Sequence, residues 1–180
     1  SESQRVGKIG SYILDIKSYV WTSSEVLDGI FGINQAFQRT LESWNMLVHP
    51  DQRKEMLDYF LNHVIREKKP FDKEYLILKH NSAEECWVWG RGELSYDKNG
   101  DPERMFGTIQ DITEKKKAEI LLFETEQTYR GLVNTITEAI YIHKDDGVFM
   151  DVNDGAVSMY GYSREELIGK TPLFVSAPGK

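Results

Sequence analysis

One cysteine, Cys86, stands among 180 residues. No intrachain disulfide can form, so the fold rests on burial and hydrogen bonds, and a reducing compartment suits it. No apolar run reaches the roughly 18 residues of a membrane-spanning helix. The opening stretch, SESQRVGKIG, lacks the apolar core of a signal peptide. The expectation is a cytoplasmic protein, or the cytoplasmic part of a membrane receptor. Basic residues are outnumbered: 22 Lys+Arg against 29 Asp+Glu give a net charge of −7. That argues against nucleic acid as a partner, because phosphate-binding surfaces carry a cationic face. A glycine-rich phosphate loop is absent, and no Ser/His/Asp or Cys/His set stands at catalytic spacing. Catalysis is not expected of this chain; it would need an output domain outside it. His49 and His63 have no second ligand at metal spacing, so neither metal nor haem is expected. His49 is read instead as starting a helix through a local hydrogen bond.

What is present is ordinary globular material, 40% hydrophobic and 28% charged. GSYILDIKSYV, residues 10–20, is rich in β-branched and aromatic side chains and reads as one strand or two short ones. Ser23 or Ser24 then caps a short helical turn. In HPDQRKEMLDYFLNHVIREKKP, Asp51 is a suitable N-cap, and Met56, Leu57, Phe60, Leu61, Val64 and Ile65 form one apolar stripe at helical spacing. Pro70 ends that helix. Three strands follow, FDKEYLILKH, CWVWGRGELSY and ERMFGTIQDI, joined by short turns as an antiparallel meander. Strands, helices and strands in that order predict an α+β fold, with helices covering one face of an antiparallel sheet.

The last strand passes into TEKKKAEILLFETEQTYRGLVNTITEAI without a loop. Asp111, three residues before Glu114, predicts an Asp form of the capping box at the joint. Ala118, Leu121, Leu122, Thr125, Tyr129 and Leu132 lie near heptad spacing along the helix. Lys115, Lys116 and Lys117 read as a solvated face balanced by neighbouring glutamates. Strand pattern then returns in AIYIHKDDGVFMDVN, with Gly147 supplying the turn, and Ser163 and Glu166 make a second capping box. The order strand, turn, strand, short helix, aromatic, glycine occurs twice. Phe31-Gly32 and Tyr160-Gly161 mark the two copies, which predicts the same domain in duplicate. The second copy ends near Lys180 without its long helix and meander. Its strands, near residues 139–151, are therefore expected to pair with another chain or with the first domain.

Several stretches resemble tandem PAS domains, the sensor modules of histidine kinases and cyclic-dinucleotide enzymes. They are SWNMLVHPDQR, CWVWGRGEL, YDKNGDPERMFGTIQDITEKKKAE, YRGLVNTITEAIYI, Val152-Asn153 and YGYSREELIGK. HNSAEECW departs from the family's Asp-Gly turn. The resemblance implies a five-stranded antiparallel sheet with helices on one face. It implies a first domain over 1–112, a linker helix over 113–137, and the N-terminal part of a second domain over 138–180. It also implies a two-component sensor role: a cavity between sheet and helices that holds a small-molecule ligand, or no ligand and a partner subunit. A signal would leave the sheet at Asp111, Ile112 and Thr113 for a downstream kinase or other output domain.

Trp44, Tyr75, Trp87 and Trp89 are the pocket candidates. Trp87 and Trp89 share one face of their strand, which suits a cavity wall or a dimer contact. The cofactor is left unidentified. The light-sensing branch places its flavin-reactive cysteine in a helical Asn-Cys-Arg-Phe run; that run is absent, and Cys86 reads as a packing residue. A homodimer is the expected assembly.

Overall fold

The computed structural model describes residues 8–176. The outer limits of the two expected domains, residues 1–7 and 177–180, lie outside the described residues. The chain divides into two units, one ending at Lys117 and one starting at Ala118.

The first unit is built on β1 (Ile9–Asp15), β2 (Trp21–Ser23), β3 (Phe71–Leu78), β4 (Glu85–Tyr96) and β5 (Pro102–Asp111). They form one sheet in the order β2-β1-β5-β4-β3, and every pairing is antiparallel. The predicted meander is there. The region of residues 10–20 holds one strand, β1, and the turn after it, with β2 starting just beyond at Trp21; β1 runs along the far side of β5, closing the sheet from the N-terminal end. Between β2 and β3 lie α1 (Glu25–Phe31), α2 (Leu41–Leu47), a 3₁₀ turn (Pro50–Gln52), α3 (Arg53–Asp58) and a π-helical segment (Tyr59–Arg66).

Caps set these elements locally. Ser24 takes the cap of α1: its hydroxyl accepts from the Leu27 amide, and Gly32 closes the helix at φ 65°. Thr40 and Ser43 make a capping box on α2. Asp51 is not the cap expected of it. His49 caps the 3₁₀ turn, with its ring accepting from the Asp51 amide, and α3 begins at Arg53 without a side-chain cap.

The predicted stripe is also wound differently. The Glu67 amide donates to the Asn62 carbonyl, five residues back, at 3.0 Å. This π winding brings Met56, Phe60 and Val64 into the core at steps of four and leaves Leu61 exposed.

The core lies between the helices and one sheet face. Val48, Val64, Ile77 and Val88 have no solvent exposure. Around this core, partly buried Tyr12, Phe37 and Trp44 complete the packing.

A helix, α4 (Thr113–Thr135), follows β5. The second unit then has β6 (Tyr141–His143), β7 (Phe149–Val152), α5 (Asp154–Tyr160), α6 (Arg164–Leu167) and α7 (Pro172–Val175). β6 and β7 pair with each other in a two-stranded sheet of their own, the hairpin expected at Gly147. Phe149 and Val152 on β7 pack with Ala156 and Leu167, which gives the hairpin a small apolar cover. The Ser163–Glu166 capping box is present on α6.

Candidate functional site

An apolar cavity of about 50 Å³ lies between the sheet and the helices of the first unit. The sheet supplies Tyr12 and Leu14 from β1, Trp21 from β2, Phe71 and Tyr75 from β3, and Met105 and Ile109 from β5. Opposite them stand Leu27 and Phe31 of α1, Leu41 and Trp44 of α2, and Phe60 of the π-helical segment. The polar ends of the aromatic rings have partners within the protein. Trp44 Nε1 donates to the Tyr75 hydroxyl at 3.1 Å, and Trp21 Nε1 donates to the Thr40 carbonyl at 2.9 Å. The Tyr12 hydroxyl donates to the Arg91 carbonyl at 3.4 Å. Burial pushes the hydroxyls of both Tyr75 and Tyr12 well above the ordinary tyrosine range, so neither ionises near neutral pH.

Two of the four pocket candidates, Trp44 and Tyr75, line this cavity, and Trp87 and Trp89 do not. Along β4, Cys86, Val88, Gly90 and Gly92 are buried, and the two tryptophans alternate with them onto the other face. The glycines explain the choice. A Cβ on Gly90 would sit 2.8 Å from the Phe71 ring, and one on Gly92 would meet the Tyr12 hydroxyl. Rings from β3 and β1 cross the inner face there, so the bulky residues of β4 point outward. On that outer face, Trp89 Nε1 donates to Asp72 at 2.7 Å and the Arg91 guanidinium lies 4.2 Å from the Trp89 ring centre. The Lys116 ammonium lies 5.5 Å from the Trp87 ring centre.

The strand-to-helix joint is fully bonded. The Ile112 amide donates to the Trp87 carbonyl at 2.9 Å. Thr113 Oγ1 accepts from the Trp87 amide at 3.1 Å. Asp111 Oδ1 accepts from the Thr113 amide at 2.9 Å, and Asp111 Oδ2 lies 3.7 Å from the Lys8 ammonium. The box expected between Asp111 and Glu114 is not the one formed. Because α4 starts at Thr113, Ile112 holds the cap position, and Asp111 makes an Asx turn one residue earlier. Burial pushes the Asp111 carboxyl up, but the Thr113 hydrogen bonds and the Lys8 charge outweigh it, so it sits below its usual value. Ile112 is buried.

A second tie was not read from the sequence. Glu74 on β3 faces Lys116 at 2.5 Å and Lys115 at 3.6 Å, both in the first turn of α4. The hydrogen bond from Lys116 leads the causes that hold the Glu74 carboxyl below its usual value. Glu74 is the chain neighbour of Tyr75, so one residue faces the cavity wall and the next holds the helix. The strand's period of two was the available signal: with Tyr75 inward, Glu74 must point outward.

Cys86 does not line the cavity. It is buried against Thr113, whose hydroxyl lies 3.5 Å from its sulfur, and burial raises its pKa. A three-ring flavin does not fit either, since a cavity of about 150 Å³ in another protein is needed for one benzene ring. Porphyrin is larger still. Among the described residues, no group of three or more His, Cys, Asp or Glu is placed to hold a metal ion. No helix among them is long and apolar enough to cross a membrane.

Comparison with known proteins gives consistent results. The sensor protein FixL of Bradyrhizobium diazoefficiens is 25% identical over 162 residues, which is 90% of this chain and 32% of that protein. Probable diguanylate cyclase DgcE of Escherichia coli is 21% identical over 173 residues, 96% of this chain and 15% of that protein. The chain thus spans under a third of either relative's length. The solved structure of a sensory box histidine kinase/response regulator from Burkholderia thailandensis superposes with a TM-score of 0.59 at 22% identity, covering 72% of this chain and 95% of that one. The PAS fold family model matches residues 20–109, half of the chain, and a second PAS fold model matches residues 127–177. With a five-stranded antiparallel sheet, a cavity under its helices and two such matches in tandem, the chain belongs to the PAS fold family.

Proposed function

We propose that the chain is a sensory module, in which a small ligand in the first unit's cavity biases the position of α4 and so informs a downstream kinase or other output domain. The domain plan expected from the sequence, 1–112, 113–137 and 138–180, is kept as part of this reading, with 113–137 as transmitter and no catalytic step in the chain itself. One observation carries the proposal. Tyr75 forms the cavity wall, and its neighbour Glu74 grips Lys116 of α4. A guest that displaces the β3 backbone at Tyr75 also displaces the anchor of the helix. Asp111, Ile112 and Thr113 are the second route, because they join β4 and β5 to the first turn of α4 without an intervening loop. A ligand moves such a two-state element only by binding its two states unequally. Close packing of the wall gives a guest the leverage to do so.

The test needs no identified ligand. Hydrogen exchange is followed at the amides of residues 113–117 in the unaltered chain, in Tyr75→Phe, in Phe60→Ala, and in each combined with Glu74→Gln. Both wall variants should change exchange in that turn, and Glu74→Gln should weaken the response. Unchanged exchange in both wall variants would sink the relay.

A second reading has its own support. Ala118, Leu122, Thr125, Tyr129 and Leu132 recur along α4 at alternating steps of four and three, and among them Leu122, Tyr129 and Leu132 are exposed. That is the seam of a two-helix coiled coil. On this reading the chain is a ligand-free homodimerisation module. Sedimentation that depends on concentration, and that loses the dependence when Leu121 and Leu122 are both changed to Glu, would favour it.

A further inference from the structure

We infer that the cavity of the first unit selects a neutral, apolar molecule of only a few heavy atoms, in the size range of xenon, dioxygen or a short alkane. This rests on the sensor reading above and names its ligand class. Size gives the first argument. At about 50 Å³ the cavity has a third of the room that admits benzene elsewhere. Chemistry gives the second. No charged side chain lines it, and the indoles of Trp44 and Trp21 and the Tyr12 hydroxyl are committed to protein partners. A guest carrying a hydroxyl or amide would lose its water and meet one polar group at most, the Tyr75 hydroxyl, which accepts from Trp44 and keeps its own proton to give. Water itself is a poor occupant for the same reason, since a buried water needs about 2–4 polar neighbours. A small apolar guest gains dispersion contacts with the apolar side chains that line the cavity. With so few atoms to bury, its Kd is expected to be roughly 0.1 mM or weaker, so the cavity would respond only to an abundant guest.

The test uses the unaltered full chain and four probes of similar size: xenon and cyclopropane against methanol and formamide. The readout is the NMR shift of the Met105, Leu14 and Ile109 methyl groups and of the Trp44 indole N–H. Xenon and cyclopropane should give saturable shifts at these groups, with the polar pair at least tenfold weaker. Phe60→Ala, which widens the cavity, should add benzene to the molecules that bind. Equal or tighter binding of the polar pair overturns the apolar class and leaves the sensor reading standing. Benzene binding in the unaltered chain overturns the size limit. No response to any probe, in the unaltered or the widened cavity, overturns this inference, while the sensor reading is decided by the exchange experiment above.

Discussion

The first and second units open on one local plan. Each has two strands and then a seven-residue helix whose N-cap side chain accepts from the amide three residues on. Each helix is closed by a left-handed glycine, with Ser24, Leu27 and Gly32 in one and Asn153, Ala156 and Gly161 in the other. From there they diverge. The first unit closes five strands over a core with a cavity, while the described part of the second has two strands and a buried cluster of Phe149, Val152, Ala156 and Leu167. The caps differ in reach. Ser24 also accepts from the Ser11 amide. Asn153 is buried, and its carboxamide donates to the carbonyls of Val133, Ile136 and Glu138 while accepting from the Ile140 and Ala156 amides. Where little apolar surface is buried, one polar side chain gathers the backbone; where much is buried, packing does it. The same capping chemistry therefore starts both copies without making them equally firm.

The largest effects should come from equal truncations in the two cores. Phe60→Ala removes a ring from the first core and should cost about 3–5 kcal/mol. Its sheet should remain folded, with the Val88 amide still protected from exchange. Leu167→Ala should cost about 2–4 kcal/mol. Taken from a four-residue cluster, that loss should melt the second unit, so that protection at Ala156 vanishes while Val88 is unaffected. Protection surviving at Ala156 would break the comparison.

Next comes Asn153→Ala. It removes the side-chain partner of three carbonyls and of the Ile140 amide, while the Ala156 amide keeps only its bond to the Asn153 carbonyl; it should cost about 2–4 kcal/mol, seen as faster exchange at Ile140. Ser24→Ala, the matching change in the first copy, should cost about 1 kcal/mol by urea unfolding. If the two costs proved equal, the contrast drawn between the caps would be wrong.

Thr113→Val keeps the shape of the side chain and leaves the Trp87 amide without its acceptor, at about 1–2 kcal/mol. Thr113→Ser should restore most of it in the same unfolding experiment.

The smallest effect is electrostatic. Glu74 is held below its ordinary pKa in the folded chain, chiefly by Lys116. Its contribution is therefore present above the ordinary glutamate value and is lost as pH falls through the lower folded value. Protection in the first turn of α4, taken relative to the intrinsic exchange rate at each pH, should fall across that acid window. Glu74→Gln should remove the acid dependence; a dependence that persists would assign it to another carboxylate.

The features legible from residues alone are those that depend on near neighbours. The Ser163–Glu166 box, the turn at Gly147, the glycine ends at Gly32 and Gly161, and the three meander strands each rest on contacts within a few positions along the chain. The joint was legible in place and not in bonding: Asp111 was recognised, but its partner is the Thr113 amide. The facing of Trp87 and Trp89 was legible as a shared side, not as the outer side. Deciding that required knowing that the rings of Phe71 and Tyr12 cross Gly90 and Gly92, which lie far from them in sequence.

By itself, then, the sequence determined the order of strands and helices, that one plan occurs twice, and that the last strand of the first copy runs straight into a helix. Caps, turns and alternation act over a few residues, and their energies are local. Only the tertiary structure decided which sheet face is inside, that Phe60 reaches the core through a π turn, and that Glu74 rather than solvent meets Lys116. Those choices depend on which distant rings compete for one volume, and no local spacing encodes the outcome of that competition.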